Sequence, residues 1–383
     1  MTSKNRLFEA VFLLFISLTV VSATIGYRPC RECLSLTVHD APGVGFDLTA
    51  DYGVSSVNFY NGTIKDLVKV NASREYKDLM LRLSSAPKPQ PSKFESSRRQ
   101  MNKQSGLPSA EDVNIISDLI LRLKNATEAD LGLPLDTIVL AHMRFPGLTA
   151  EDIGDAVEYA GLHSWMHLPN EVWWDPDQSS ENRAALAAHG VNLCQEVGGW
   201  SLCMESMGWN GTEEATAYFV SLTNSALYTS IDRYLQPFQY TPHHEWYSFD
   251  IGSGLESMAS YDSEEAYWRT VSAKPKSPKV RTPITHVLIG GEAGNFAPLR
   301  EALRDALENA PLAEAYGGVT SAFAGEPVSP LYAAARGAAL LARWRQEAPM
   351  GCWEHSACKE RRGRGRGAIV EGPLPASIYV AWT

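Results

Sequence analysis

Residues 43–48 (GVGFDL) alternate apolar with small or polar side chains, the period of two that sets one strand face against a core. The runs 54–60 (VSSVNFY) and 63–70 (TIKDLVKV) follow, and the Asn61-Gly62 step between them has the chemistry of a tight hairpin turn. Together they predict a three-stranded antiparallel meander. A polar stretch over 84–109, rich in Pro, Lys and Ser, reads as a loop or small insertion. Beyond it the period lengthens. Ser109-x-x-Asp112 opens a helix with Val113, Ile116, Leu119, Ile120 and Leu123 on one face. A buried strand at 137–143 (TIVLAHM) and helices over 149–160 and 179–189 complete this half, the last closed by Gly190.

The same order then returns. Segments 217–222 (AYFVSL), 226–236 and 246–251 predict a second, less regular meander. A helix over 262–272, a buried strand at 285–289 (THVLI), a Pro-started helix over 298–307 and a closing helix over 330–346 follow. Two passes through one pattern, without likeness between the copies in residue identity, predict a duplicated α/β lobe with a cleft between the copies.

In this order of elements, the chain resembles the ATPase domain of the heat shock protein 70 (DnaK-type) family, a branch of the actin-like ATPase superfamily. Four stretches carry the resemblance: Gly45-Phe46-Asp47-Leu48 with the Asn61-Gly62 hairpin; Glu128-Ala129-Asp130-Leu131-Gly132 with the strand after it; the alanine-rich 184–190; and Val287-Leu288-Ile289-Gly290-Gly291 with Ser329-Pro330 through Gly337-Ala338-Ala339. Among members of that family it looks most like shortened, secreted fungal chains with degenerate phosphate loops. The resemblance implies an α/β, two-lobed actin-like (ribonuclease H-like) duplicated fold with an interlobe cleft. It divides the chain into a first lobe over 24–196, with 84–109 as a shortened insertion, and a second lobe over 197–329. A closing helix over 330–350 returns to the first lobe, and 351–383 is a Cys-containing basic tail.

It also implies a site. Asp47 and Glu181 fall where the family has its catalytic carboxylates, and Asp47, Leu48, Thr49, Gly290, Gly291 and Glu292 fall at nucleotide-contacting positions. ATP as a weak ligand and Mg are the implied cofactors, and an adenine nucleotide the implied partner. The departures bear directly on this. A phosphate loop needs glycines and small hydroxyls so that backbone N–H groups curl round oxygens. The first loop here is Asp47-Leu48-Thr49-Ala50-Asp51, where Asp51 brings a negative charge towards the phosphates. The second is 221–226 (SLTNSA), without acid or glycine. Asp250-Ile251-Gly252-Ser253-Gly254 resembles such a loop more closely, one strand later. The insertion is too short to supply the family's catalytic lysine. Phosphoryl transfer depends on positioning and charge neutralisation, so losing these parts together predicts an impaired ATPase. Too little chain follows Gln346 for the family's peptide-binding domain, so none is expected. The alternatives are an active ATPase or small-molecule kinase using Asp47, Glu181 and the Asp250 loop, or a secreted binding or structural glycoprotein that kept only the scaffold.

Charge and cysteines set the surroundings. A net charge of -10 excludes a generic nucleic-acid binder. Lys4 and Arg6 precede an apolar run over 10–21, and Val21-Ser22-Ala23 offers a small-x-small cleavage site. Residues 1–23 therefore read as a signal peptide, with a retained anchor as the alternative; after cleavage no membrane association is expected, and the address is the secretory lumen or the exterior. Six cysteines, Cys30, Cys33, Cys194, Cys203, Cys352 and Cys358, enter an oxidising compartment as disulfide candidates. Local pairs (30 with 33, 194 with 203, 352 with 358) and crossed pairing between the two ends are both open. Asn61, Asn71, Asn125 and Asn210 are glycosylation acceptors. His243-His244-Glu245 lacks a third ligand and reads as a solvated loop, so no metal site is expected there. Arg361 to Gly367 reads as a flexible basic tail, and Trp165, Trp173 and Trp174 as packing aromatics rather than a sugar platform.

Overall fold

The computed structural model describes residues 28–29, 33, 35–85, 87, 91–165, 180–191, 215–234, 243–273, 284–308, 328–347, 352–353 and 356–366. In chain order these form β1 (Arg28–Pro29), α1 (Leu36–Asp40), β2 (Gly43–Leu48), β3 (Tyr52–Asn58), β4 (Ile64–Asn71), α2 (Arg74–Ser85), α3 (Lys93–Gln104), α4 (Glu111–Leu131), β5 (Thr137–His142), α5 (Ala150–Tyr159), β6 (His163–Ser164) and α6 (Glu181–Ala188). The second half gives β7 (Ala215–Leu222), β8 (Leu227–Tyr234), β9 (His243–Asp250), α7 (Glu264–Ala273), β10 (His286–Gly290), α8 (Ala297–Glu308), α9 (Ala333–Glu347), β11 (Cys352–Trp353) and α10 (Ser356–Arg366). The chain is mixed α/β, with two mixed sheets and a two-stranded β1–β11 ribbon.

The two sheets share a strand order. One runs β4-β3-β2-β5-β6 and the other β9-β8-β7-β10, so each places its meander third-second-first and then adds a fourth strand beside the first. In both, the first strand is antiparallel to the second and parallel to the fourth. β2 and β7 are buried along their whole length, as central strands with covered faces should be.

Small residues let helices come close. A Cβ on Gly45 would lie 2.2 Å from the Ala335 carbonyl oxygen, so α9 rests directly on β2. On its other side α9 crosses α6, where a Cβ on Gly337 would lie 1.5 Å from the carbonyl oxygen of Ala184. Ala184 and Ala187 of α6 and Ala334, Ala338 and Ala342 of α9, with Val139 and Ala141 of β5, belong to one buried cluster. The alanine-rich motifs in the sequence thus meet each other.

Several expectations are corrected. The stretch 84–109 is not a plain loop: α3 lies within it, opened by a reciprocal Ser92–Glu95 capping box. Its anchor is ionic rather than apolar. Arg99 donates to Asp152 at 2.7 Å and Asp155 at 2.6 Å, and Lys103 to Asp155 at 2.7 Å, all on α5. α4 begins at Glu111 with Ala110, not Ser109, at its N-cap. His243 to Glu245 start β9 rather than forming a loop, because they continue its antiparallel pairing with β8. The basic 361–367 segment is largely helical, within α10, and Arg362 is buried. The cysteine pairing is crossed at Cys33–Cys358, which rules out the local pairs 30–33 and 352–358; the adjacent β1–β11 pairing brings the two ends together. Cys194, Cys203, Asn210, Trp173, Trp174 and the proposed signal peptide lie outside the described residues. Among the described residues no helix is long and apolar enough to cross a membrane.

Candidate functional site: a carboxyl pair beside two facing turns

β2 and β5 run parallel with Leu48 opposite His142, and an isolated parallel bridge continues from His142 to Ser180. Ser180 caps α6, its hydroxyl accepting the N–H of Arg183. This path seats Glu181, the first helical residue, against Asp47 near the end of β2. The two carboxyls hydrogen-bond to each other. Asp47 is 4% exposed and Glu181 1%, and Asp47 Oδ1 and Glu181 Oε2 have no hydrogen-bond partner. The next residue turns the other way: Asn182 donates to the Ala217 carbonyl at 3.1 Å and to Ser230 Oγ at 3.0 Å. Consecutive residues of one helix therefore grip both sheets.

Burial governs the pair. It pushes the Asp47 carboxyl up, to about 7, with the hydrogen bond from Glu181 opposing it. Burial, the charge of Asp47 and the bond to it push Glu181 well above the carboxylate range. The surrounding wall is phenolic: Tyr52, Tyr76 and Tyr228 are kept neutral chiefly by burial, with the acids adding to the effect.

Next to the pair, two turns share one construction. Thr49 N–H and hydroxyl both donate to the Tyr52 carbonyl, at 3.0 Å each, across the β2–β3 turn. Thr223 does the same to the Ala226 carbonyl across the β7–β8 turn, at 3.0 and 3.2 Å. The third residues of these turns, Asp51 and Ser225, meet. Asp51 Oδ2 accepts the Ser225 N–H at 2.9 Å and its hydroxyl at 2.8 Å, while Oδ1 pairs with Lys77 Nζ at 2.8 Å. Burial raises the Asp51 carboxyl, but the bonds from Lys77, Thr223 and Ser225 outweigh it and hold Asp51 below its usual range.

The remaining candidates are placed around this contact. Leu48 is buried in the core, and Thr49 is spent on its own turn. Gly290 and Gly291 are buried against protein: a Cβ on Gly290 would lie 2.6 Å from the Phe219 ring, and one on Gly291 2.4 Å from the Leu222 carbonyl oxygen. Gly291 also needs its φ of +84°. Glu292 accepts the Asn224 N–H at 3.1 Å and forms an ion pair with Lys69 of β4. The Asp250 loop is closed on itself, Asp250 accepting from Gly252 N–H at 3.0 Å and the Ser253 hydroxyl at 3.1 Å. Trp165 packs on the alanine cluster. Among the described residues no group of three or more His, Cys, Asp or Glu is disposed to hold a metal.

No family model and no curated protein matches this chain. The sequence reasoning did not single out Lys69, Lys77 or Asn182, and it placed Ser225 only within the second phosphate-loop stretch 221–226. Lys77 had a signal: Tyr76, Leu79, Met80 and Leu83 repeat at helical spacing and would have placed it on the exposed side of a helix after β4. The pairing of Ser225 with Asp51 had none, because the two are 174 positions apart.

Proposed function

We propose that this chain is an actin-like, two-lobed protein of the secretory route, related to the Hsp70 ATPase domain, whose interlobe phosphate position is occupied by its own carboxylate. Nucleotide then binds weakly at most and is not turned over. The observation that carries this reading is the Asp51–Ser225 contact. A backbone N–H, the Ser225 hydroxyl and a lysine converge on Asp51 as they would on a phosphate oxygen. Glu292 adds a second closure through Lys69 and Asn224.

The shared strand order, the matched Thr49 and Thr223 turns and the meeting of their equivalent third residues support a duplicated fold with a pseudo-twofold relation between lobes. The residues do not fit a metal-bound triphosphate. Asp47 and Glu181 share a proton in a buried pair, and the glycines at 290–291 are filled by Phe219 and Leu222.

Calorimetry and thermal melting with MgATP test this. A ligand at about 100 times its Kd stabilises by about 2.7 kcal/mol, a shift of several degrees. The expected result is a shift near zero at millimolar MgATP, with no phosphate release. Release of several phosphates per minute would sink the proposal. Opening the cradle with Asp51→Gly is expected to raise nucleotide affinity; an unchanged null response there would leave the contact without its proposed meaning.

A further inference from the structure

We propose that the open edge of the five-stranded sheet is an N-glycosylated face, with oligosaccharides on Asn61, Asn125 and Asn71 standing in a row along β4. β4 ends that sheet, and among the described residues only β3 pairs with it. α4 runs beside β4 in the opposite direction. Arg122 donates to the Asn71 carbonyl at 3.0 Å, and Asp130 pairs with Lys65 at 2.8 Å. Asn125 lies between those two contacts, one helical turn from Arg122, about 4.5 Å along the axis. Asn61 stands beyond the other end of the strand, at the hairpin tip. All three asparagines are exposed. Asn61 Oδ1 accepts the Thr63 N–H at 2.9 Å, which turns its amide nitrogen away from the chain.

The edge has a need for such cover. An outer strand presents unpaired N–H and C=O groups to any second chain, and charged side chains are a usual guard. Here each charge on β4 is neutralised: Lys65 by Asp130, Asp66 by Arg336 at 2.6 Å, and Lys69 by Glu292. Sugars supply a bulky, uncharged guard in their place. In the transfer, the Asn Nδ2 forms a bond to the anomeric carbon of a polyprenyl-diphosphate-linked oligosaccharide. The C–O bond to the diphosphate breaks, the diphosphate leaves with the electron pair, and the amide gives up one proton. The donor is luminal, so the proposal rests on the secretory reading above.

The full chain, expressed in a eukaryotic secretory cell, is mapped site by site by peptide mass after enzymatic deglycosylation in heavy-oxygen water. Occupancy at Asn61, Asn71 and Asn125 is expected. A triple variant (N61Q, N71Q, N125Q) is expected to pass from monomer to larger species at micromolar concentrations, measured by light scattering. Thr127→Ala is avoided, because the Thr127 hydroxyl donates to Leu123 O at 2.7 Å inside the core. Enzymatic removal of sugars from the folded native protein gives the same readout should the variant fail to fold. A secreted chain bearing sugar at Asn210 but not along β4, or a stripped protein that stays monomeric, overturns the proposal. A chain that is neither secreted nor glycosylated overturns it together with the secretory reading.

Discussion

Two acids that share one proton set the pH response of this molecule. Asp47 has its folded pKa raised above the unfolded value, so its favourable contribution is complete below the ordinary carboxyl value of 3.8 and is lost as pH rises towards about 7. The wild-type protein is therefore expected to lose stability as pH rises from about 4 to about 7, and Asp47→Asn to lose less, the remainder coming from Glu181. Urea midpoints across that range measure it; a flat wild-type profile would sink the assignment. Asp51 behaves with the opposite sign, its contribution falling only in strong acid, so the two carboxyls separate by pH. Resemblance placed Asp47 and Glu181 in one site, and the charge of Asp51 was visible as an obstacle to phosphate. Its role as an acceptor was not, because hydrogen-bond partners far apart in sequence leave no local signature.

Among elements, the α6–α9 crossing is the least tolerant of change. Gly337→Ala puts a methyl group where the Ala184 carbonyl oxygen stands, and backbone must move to relieve it. Overpacking of this kind costs about 3 kcal/mol. A lowered urea midpoint with a loss of that size is expected; a change under about 1 kcal/mol would mean that the helices are further apart than described. Both meanders were legible from alternation and the Asn61-Gly62 turn, and α4, α5, α7 and α8 from apolar spacing, because their cores are apolar. α3 was not. It is held by Arg99 and Lys103 against Asp152 and Asp155, and polar helices carry no hydrophobic period to read. α10 was missed for a related reason: its glycines and arginines argue for a coil, while the Cys33–Cys358 bond fixes it in place.

At the scale of the whole molecule, several polar ties join the halves. Asn182 reaches β7 and β8 from the helix whose first residue meets β2, Asp51 meets Ser225, Glu292 pairs with Lys69, and Arg144 reaches Asp232 at 3.5 Å. A further tie is covalent. Cys33 and Cys358 are 325 positions apart, and a bridge closing so long a loop restricts the unfolded chain by up to about 5 kcal/mol. Reduction, or Cys358→Ser, is expected to lower the melting temperature and to free α10 first, seen as rapid amide exchange over 356–366. An unchanged melting temperature under reductant would count against the bridge.

The same bond makes most of the polypeptide a closed hoop. A tug between the two extremities would travel through a pair of sulfur atoms and bypass everything threaded between them. A single protease nick inside the hoop would leave one covalent species on a non-reducing gel and two on a reducing one. Nicked fragments would thus part only after the bridge is reduced to thiols.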